Sequence, residues 1–327
     1  MLNLTSLIRG TTAYKTLVAE KSKNRLSHAY LVTCQDKKFL LQYLKILCKI
    51  IICDENEYCN TCRNCRLIEN GAHPDVMFYP KTEGNVATAD INNLTEESYV
   101  KPVEGDKKLF VIVGAETMNA PAQNKLLKTL EEPPKNVIIL LGATSEFTLL
   151  PTIKSRVKKL EISNFAEREL YSILSAEYGE SEKLKQAVSC SDGTLGKAIE
   201  LYNGEDLEQV TSIVKEVLLN MKTAKDVLYY SNLLASSKID FGEFLSVLEL
   251  AVRDIMAKLS DGEKSVFNTE LSKELENVQG FTLGSAVYAL EKINEAYKRK
   301  KFNNNQTMLS EWLLFSILEG KHKWQKL

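Results

Sequence analysis

Five short apolar runs punctuate the first half of the chain: Tyr30 to Val32, Val76 to Tyr79, Leu109 to Val113, Val137 to Leu141 and Lys159 to Ile162. Val137 to Leu141 is a continuous apolar run, the pattern of a strand buried on both faces. The stretches between the five runs carry helical periodicity, so the pattern predicts a parallel sheet wound with helices on both sides. Beyond Asn164 no further strand is indicated. Helices are expected at Glu167 to Tyr178, at Ser181 to Cys190 and from about Leu195, with Ser191-Asp192-Gly193 as a stop and restart. From Leu207 onward the chain reads as amphipathic helix, broken near Gly242, Asp261-Gly262, Gly280 and Asn303 to Asn305.

A chain of 327 residues exceeds one ordinary compact domain, and two or three are expected. The densest apolar patch, Phe39 to Ile52, is interrupted by Gln42, Lys45 and Lys49, so no run reaches the ~20 residues of a membrane helix. A net charge of −1 excludes binding to nucleic acid by bulk electrostatics; any such contact must be local or shared with other chains.

The most specific local pattern is Leu126 to Pro134, LLKTLEEPP, followed by a buried strand and then Leu150-Pro151-Thr152-Ile153-Lys154-Ser155-Arg156. The helix ending on Glu131-Glu132 is stopped by Pro133-Pro134, because proline disfavours helix in the residue before it. The loop then presents Arg156, for which no local acidic partner is expected; an intrachain salt bridge to Glu131 or Glu132 is the alternative. These motifs resemble the AAA+ clamp-loader subunits of bacterial DNA polymerase III, in which LLKTLEEPP and a Ser-Arg-Cys motif recur. Here Val157 stands in place of the cysteine. The resemblance covers nearly the whole chain. It implies an α/β AAA+ (RecA-like) parallel-sheet domain over 1–164 with an inserted zinc module at about 53–65. A small helical lid domain over 165–206 and an all-α collar domain over 207–327 would follow. It also implies that Arg156, with Ser155 in the same motif, reaches the phosphates of a nucleotide held by the neighbouring subunit.

Three elements of the family's ATPases are missing. The His-Ala-Tyr-Leu of these enzymes leads into a Gly-rich loop ending Gly-Lys-Thr. Here His28-Ala29-Tyr30-Leu31 leads into TCQDKKFLL, no glycine occurs from Leu31 to Asn70, and the family's Lys-Thr falls on Leu40-Leu41. A phosphate-binding loop needs glycines, a lysine and a magnesium-binding hydroxyl; Lys37 and Lys38 read as a charged surface loop. The strand Leu109 to Val113 is followed by Gly114-Ala115 where an Asp-Glu pair is expected, and Glu116 comes two residues late. The arginine of the Gly-Ser-x-Arg motif falls on Gly196 in Gly193-Thr194-Leu195-Gly196. The combination resembles the family's non-hydrolysing stator: no nucleotide and no intrinsic ATPase are expected, and DNA polymerase (nucleotidyltransferase) activity is implied only through membership of the holoenzyme.

Cys53, Cys59, Cys62 and Cys65 form C-x5-C-x2-C-x2-C, spaced for four thiolates around one structural zinc ion per chain. A disulfide cluster or separate thiols are the alternatives. With no secretory leader read at the start, the cytoplasm is expected, where disulfides are disfavoured. His73 reads as a turn residue rather than a ligand, and Cys34, Cys48 and Cys190 as small buried hydrophobes.

In the last third, Asn304 to Leu309 followed by Trp312-Leu313-Leu314-Phe315 resembles the final helix of the clamp-loader collar, where five subunits form a ring. The implied partners are gamma/tau and delta clamp-loader subunits in a hetero-pentamer, with the sliding clamp and primed DNA met through the assembled complex and no membrane. The basic run Tyr297-Lys298-Arg299-Lys300-Lys301 reads as a solvated helix end rather than a DNA patch. Two rival functions stand beside the stator: a gamma/tau-type ATPase, and a zinc-dependent nucleic-acid-binding protein on a vestigial AAA+ fold, whose knuckle would present Arg63, Arg66 and exposed aromatics.

Overall fold

A computed structural model describes residues 2–82, 84–204, 207–237, 239–260, 280–300 and 305–324. The expected breaks at Asp261-Gly262 and Asn303-Asn304, and Lys301 of the basic run, lie outside the described residues. The chain divides into two compact units, one of residues 1–173 with 194–196, the other of 174–193 with 197–327.

The first unit is built on a five-stranded sheet of β1 (Ala29–Cys34), β2 (Val76–Tyr79), β3 (Lys108–Val113), β4 (Val137–Ala143) and β5 (Lys158–Ile162). Its order is β2-β3-β4-β1-β5 and every pairing is parallel. All five strands fall where the apolar runs place them. β4 is buried at every residue, as the centre of a sheet covered on both faces requires. One face carries a core of Leu31, Phe110, Ile112, Ile139 and Leu141 packed against Ile91, Leu94, Leu126 and Leu130. The connections after β1 and β4 leave toward opposite edges of the sheet, so the carboxyl ends of these neighbours form the switch point where such folds hold ligands.

The helices of this unit begin with α1 (Leu4–Arg9), α2 (Thr12–Ser22), α3 (Leu40–Ile52) and α4 (Arg63–Glu69). Then come α5 (Thr88–Ser98), α6 (Ala120–Glu131) and the single turn α7 (Pro151–Lys154). α6 starts on an Asn119 cap that accepts from Ala122 N–H and ends at Glu131, with Glu132 as its C-cap ahead of the proline pair.

After α8 (Glu167–Tyr178), the second unit is helical throughout its described residues. Its helices are α9 (Glu182–Ser189), α10 (Leu195–Asn203), whose first two residues count with the first unit, α11 (Leu207–Asn220) and α12 (Ala224–Ser236), then α13 (Phe241–Leu259), α14 (Leu283–Lys300) and α15 (Gln306–Trp324). Asp192 and Gly193 adopt φ of 50° and 75°, the left-handed stop between α9 and α10. The expected break at Gly242 falls slightly earlier, because Asp240 caps α13 by accepting from Gly242 and Glu243 N–H. α13 is buried around almost its whole circumference. α11 and α14 pack on it, and α15 packs on α12 and α14. One core joins Ala187, Cys190 and Leu201 to Val214, Phe244, Leu248, Ile293, Leu313 and Ile317.

Two residues of the basic run, Arg299 and Lys300, pair within this unit. Arg299 pairs with Glu295 at 2.5 Å and lies 3.9 Å over the Trp312 ring, and Lys300 pairs with Asp240 at 2.9 Å. Among the described residues no helix is long and apolar enough to cross a membrane.

Candidate functional site

The four cysteines come together. Cys53 ends α3, Cys62 caps α4 and Cys65 lies within it, so two helix ends and the knuckle between them deliver the thiols. All four Sγ atoms lie within 4.8 Å of one another, with Cys53 Sγ 3.8 Å from Cys59 Sγ and 3.9 Å from Cys62 Sγ. Thiolates about 2.3 Å from one tetrahedral zinc ion are about 3.8 Å apart, so the donor set fits the metal in number, chemistry and spacing. Backbone N–H groups of Cys62 and Cys65 donate to Cys59 and Cys62 Sγ, which favours thiolate. The Thr61 hydroxyl and nearby N–H groups lower the Cys59 thiol to about 6, whereas burial pushes Cys53 up and Cys65 to about 12.

The knuckle is tied to its surroundings. The Lys21 ammonium donates to the carbonyls of Cys53 and Glu55. The nearly buried Lys49 bonds Asn60 at 2.8 Å and pairs with Glu69 at 2.6 Å. Tyr58 is buried, donates to Thr5 Oγ1 and packs edge-on against Tyr14; Arg63 pairs with Glu104, and Arg66 donates to the Thr61 carbonyl. Tyr58, the aromatic of the knuckle, is therefore not exposed to a strand of nucleic acid. His73 stays outside the cluster: it is buried, its Nδ1 accepts from Asp75 N–H, and burial lowers its pKa. Cys34, Cys48 and Cys190 are buried as expected.

At the carboxyl ends of β1 and β4, a cleft of about 600 Å³ is lined by Thr33 to Gln35, Thr144 to Phe147 and Lys159 to Asn164. Its one lining cation, Lys159, pairs with Glu146 at 2.7 Å. Leu40 and Leu41 open α3, and Leu40 is 2 % exposed, committed to the core. Gly114 follows β3 with φ of 77°, a conformation that costs any residue with a Cβ. The chain then turns, and the Glu116 carboxylate crosses to the end of β4, where it accepts from the Thr144 N–H and hydroxyl.

Asp36 was not legible as a site residue, although an aspartate just ahead of a helix is a cap signal. It is 5 % exposed. Its Oδ1 accepts from Phe39 N–H at 3.2 Å and its Oδ2 from Gly196 N–H at 2.8 Å, while Tyr43 Oη approaches Oδ2 at 3.4 Å. A Cβ on Gly196 would stand 2.5 Å from Asp36 Oδ1 and 2.8 Å from Lys38 Cβ.

Arg156 follows α7 and is 35 % exposed at its side chain. The expectation that no local acidic group stands near it is corrected in favour of the alternative, an intrachain salt bridge: Nη2 lies 2.8 Å from Glu131 Oε1. Packing of α7 against α6 brings the end of the LLKTLEEPP helix to the arginine, which separation in sequence conceals. Nη1 donates to the Thr152 carbonyl at 3.0 Å and to Ser155 Oγ at 3.3 Å, and Ser155 Oγ donates to the same carbonyl.

A family model described as DNA polymerase III, delta subunit matches residues 10–166. The delta' subunit of Bacillus subtilis DNA polymerase III is 29% identical over 314 residues, covering 94% of this chain and 95% of that protein. The tau subunit of the same organism is 24% identical across 94% of this chain but only 60% of its own length. The Escherichia coli delta' subunit is 28% identical over 199 residues, 59% of this chain and 60% of that protein.

Proposed function

The chain belongs to the DNA polymerase III delta-prime family, and from that premise we propose that it is the non-hydrolysing stator of a clamp loader. In this reading it supports ATP-dependent loading of a sliding clamp onto primed DNA. The observation that carries the proposal is Leu40: where a phosphate-binding lysine would stand, the first residue of α3 is an apolar side chain in the core. Gly114 in place of an acid and Gly196 in place of an arginine support the same conclusion. No nucleotidyl transfer is assigned to the chain.

The remaining chemistry is donated. Arg156 and Ser155 are proposed to act on the nucleotide of a gamma/tau neighbour, the guanidinium fork meeting the phosphate oxygens. Support comes from its partial exposure and from partners that are all replaceable: one half-exposed glutamate, a carbonyl and a hydroxyl. Cys53, Cys59, Cys62 and Cys65 are proposed to hold one zinc ion. Four thiolates leave it no open position, so the ion would be structural. The proposed layout keeps an AAA+-type sheet domain over 1–164, a helical lid over 165–206 and a collar over 207–327 that assembles with gamma/tau and delta subunits in a hetero-pentamer.

Reconstitution of clamp loading from gamma/tau, delta, clamp and primed DNA, with and without this chain, tests the proposal. Loading and DNA-stimulated ATP turnover should require the chain. Equal loading without it, or ATP hydrolysis by the chain alone, would overturn the stator reading.

A further inference from the structure

The N-terminus of α3 is where a phosphate-binding loop would present its N–H groups, and partial positive charge gathers there. Thirteen residues long, α3 has a substantial dipole, yet its N-cap Phe39 has no side chain that can accept a hydrogen bond. The acceptor comes from three residues upstream. Asp36 Oδ1 takes the Phe39 N–H, as an aspartate ahead of a helix often does. The second oxygen does something local capping does not require: it takes the N–H of Gly196, 160 residues away in sequence, on a segment that belongs to the same compact unit.

The glycine and the aspartate require each other. Any side chain at 196 would collide with Asp36 Oδ1 and Lys38 Cβ, so an arginine aimed at a nucleotide and this carboxylate cannot both be accommodated as the chain stands. Conversely, without Asp36 the Gly196 N–H would lose its partner in a buried setting, which is costly. A buried carboxylate is itself tolerable only when well supplied with donors, and here two backbone N–H groups and a nearby tyrosine hydroxyl meet that need.

We propose that the Asp36 carboxylate is the chain's built-in substitute for a nucleotide phosphate, joining the β1–α3 loop to the Thr194–Gly196 segment without a ligand. The proposal rests on the reading that the chain holds no nucleotide, and adds the reason it needs none. A ligand-dependent junction forms and releases with its ligand, whereas a carboxylate attached to the chain is always present. An incoming phosphate would also meet like charge at the helix end that ordinarily attracts it. The loop is therefore closed by charge as well as by the missing glycines.

Hydrogen exchange at the Gly196 amide and thermal unfolding, measured on the full chain and on Asp36→Ala and Asp36→Asn, test the proposal with Mg-ATP and with inorganic phosphate as probes. The wild-type amide should be protected and indifferent to either probe. Asp36→Ala should lose about ten- to a hundredfold of that protection, the size expected for a hydrogen bond to a charged group. Inorganic phosphate should restore part of it and raise the melting temperature of the variant only. Asp36→Asn keeps an acceptor without the charge; it should fall between, and decides the matter if the alanine variant does not fold. Unchanged protection in the variants, or lost protection that phosphate never restores, would overturn the phosphate-substitute proposal while leaving the stator reading intact. Stabilisation of the wild type by micromolar ATP would instead overturn the reading on which it rests.

Discussion

Arg156 Nη2 and Glu131 Oε1 stand 2.8 Å apart, so the arginine motif and the end of the LLKTLEEPP helix meet in one ion pair. Both side chains are open to solvent, and exposed pairs of this kind contribute only about 0.2–1 kcal/mol. On the proposed reading, the pair is weak enough for a neighbour's phosphate to displace it. Glu131→Gln should leave the melting temperature within a few degrees of wild type and preserve ATP turnover in a reconstituted loader. Loss of turnover as complete as that of an Arg156 variant would make the pair itself the functional unit.

Purified without chelator, the protein should carry about one zinc ion per chain, because four thiolates saturate one tetrahedral ion. Cys59→Ser should lose most of the metal and destabilise the knuckle that links α3 to α4. Elemental analysis that finds full metal in the variant, or none in the wild type, would contradict the assignment.

How far these features could be read beforehand follows from distance along the chain. The strands were legible because β3 and β4 are unbroken apolar runs, and the cysteines because their ligand spacing is local. The ion pair between Glu131 and Arg156 was open only as the alternative to an arginine without an acidic partner, and the bond between Asp36 and Gly196 was not legible. Each depends on how separate elements pack, and no periodic or compositional signal encodes that. Asp75 belongs with these: nothing in Gly71 to Asp75 announces a partner almost thirty residues on.

Asp75 is fully buried, and its carboxylate accepts from the N–H groups of Val103, Glu104 and Gly105 at 2.6, 2.8 and 3.2 Å. It holds in place the loop that exposes Tyr99, Val100 and Val103. Asp75→Ala would strand three donors, at about 1–3 kcal/mol for each that water does not reach. Denaturant unfolding should show a loss of roughly 3 kcal/mol or more by that reckoning. A change below about 0.5 kcal/mol, the range of ordinary surface substitutions, would show that the loop does not depend on the carboxylate.

Lys321 is buried in the helical unit, donates to the Leu218 carbonyl at 3.0 Å and lies 4.5 Å from the centre of the Phe281 ring. Burial, with a smaller contribution from Lys222, lowers its pKa from 10.5 to about 8. Between these values the unfolded chain binds the proton that the folded chain has released, so this residue makes stability rise with pH from about 8 to 10.5. Below about 8 the penalty for the buried charge is present in full. Lys321→Met should flatten that rise, and its stability relative to wild type should be greatest near neutrality and decline toward pH 10.5. Parallel stability curves for the two proteins across the window would contradict the assignment.

The central claim is most directly tested by ATP turnover in a loader reconstituted with Arg156→Ala. The variant chain should fold and assemble, because only an exposed ion pair and two weak polar contacts are removed. Turnover at the one neighbouring site should fall by up to about 10³–10⁵-fold, the range of trans-acting arginines, while other sites continue. Arg156→Lys should rescue poorly, since an ammonium keeps the charge but loses the fork. A loader carrying Arg156→Ala that hydrolyses ATP at every site and loads clamps like wild type would contradict the account and leave Arg156 a structural residue.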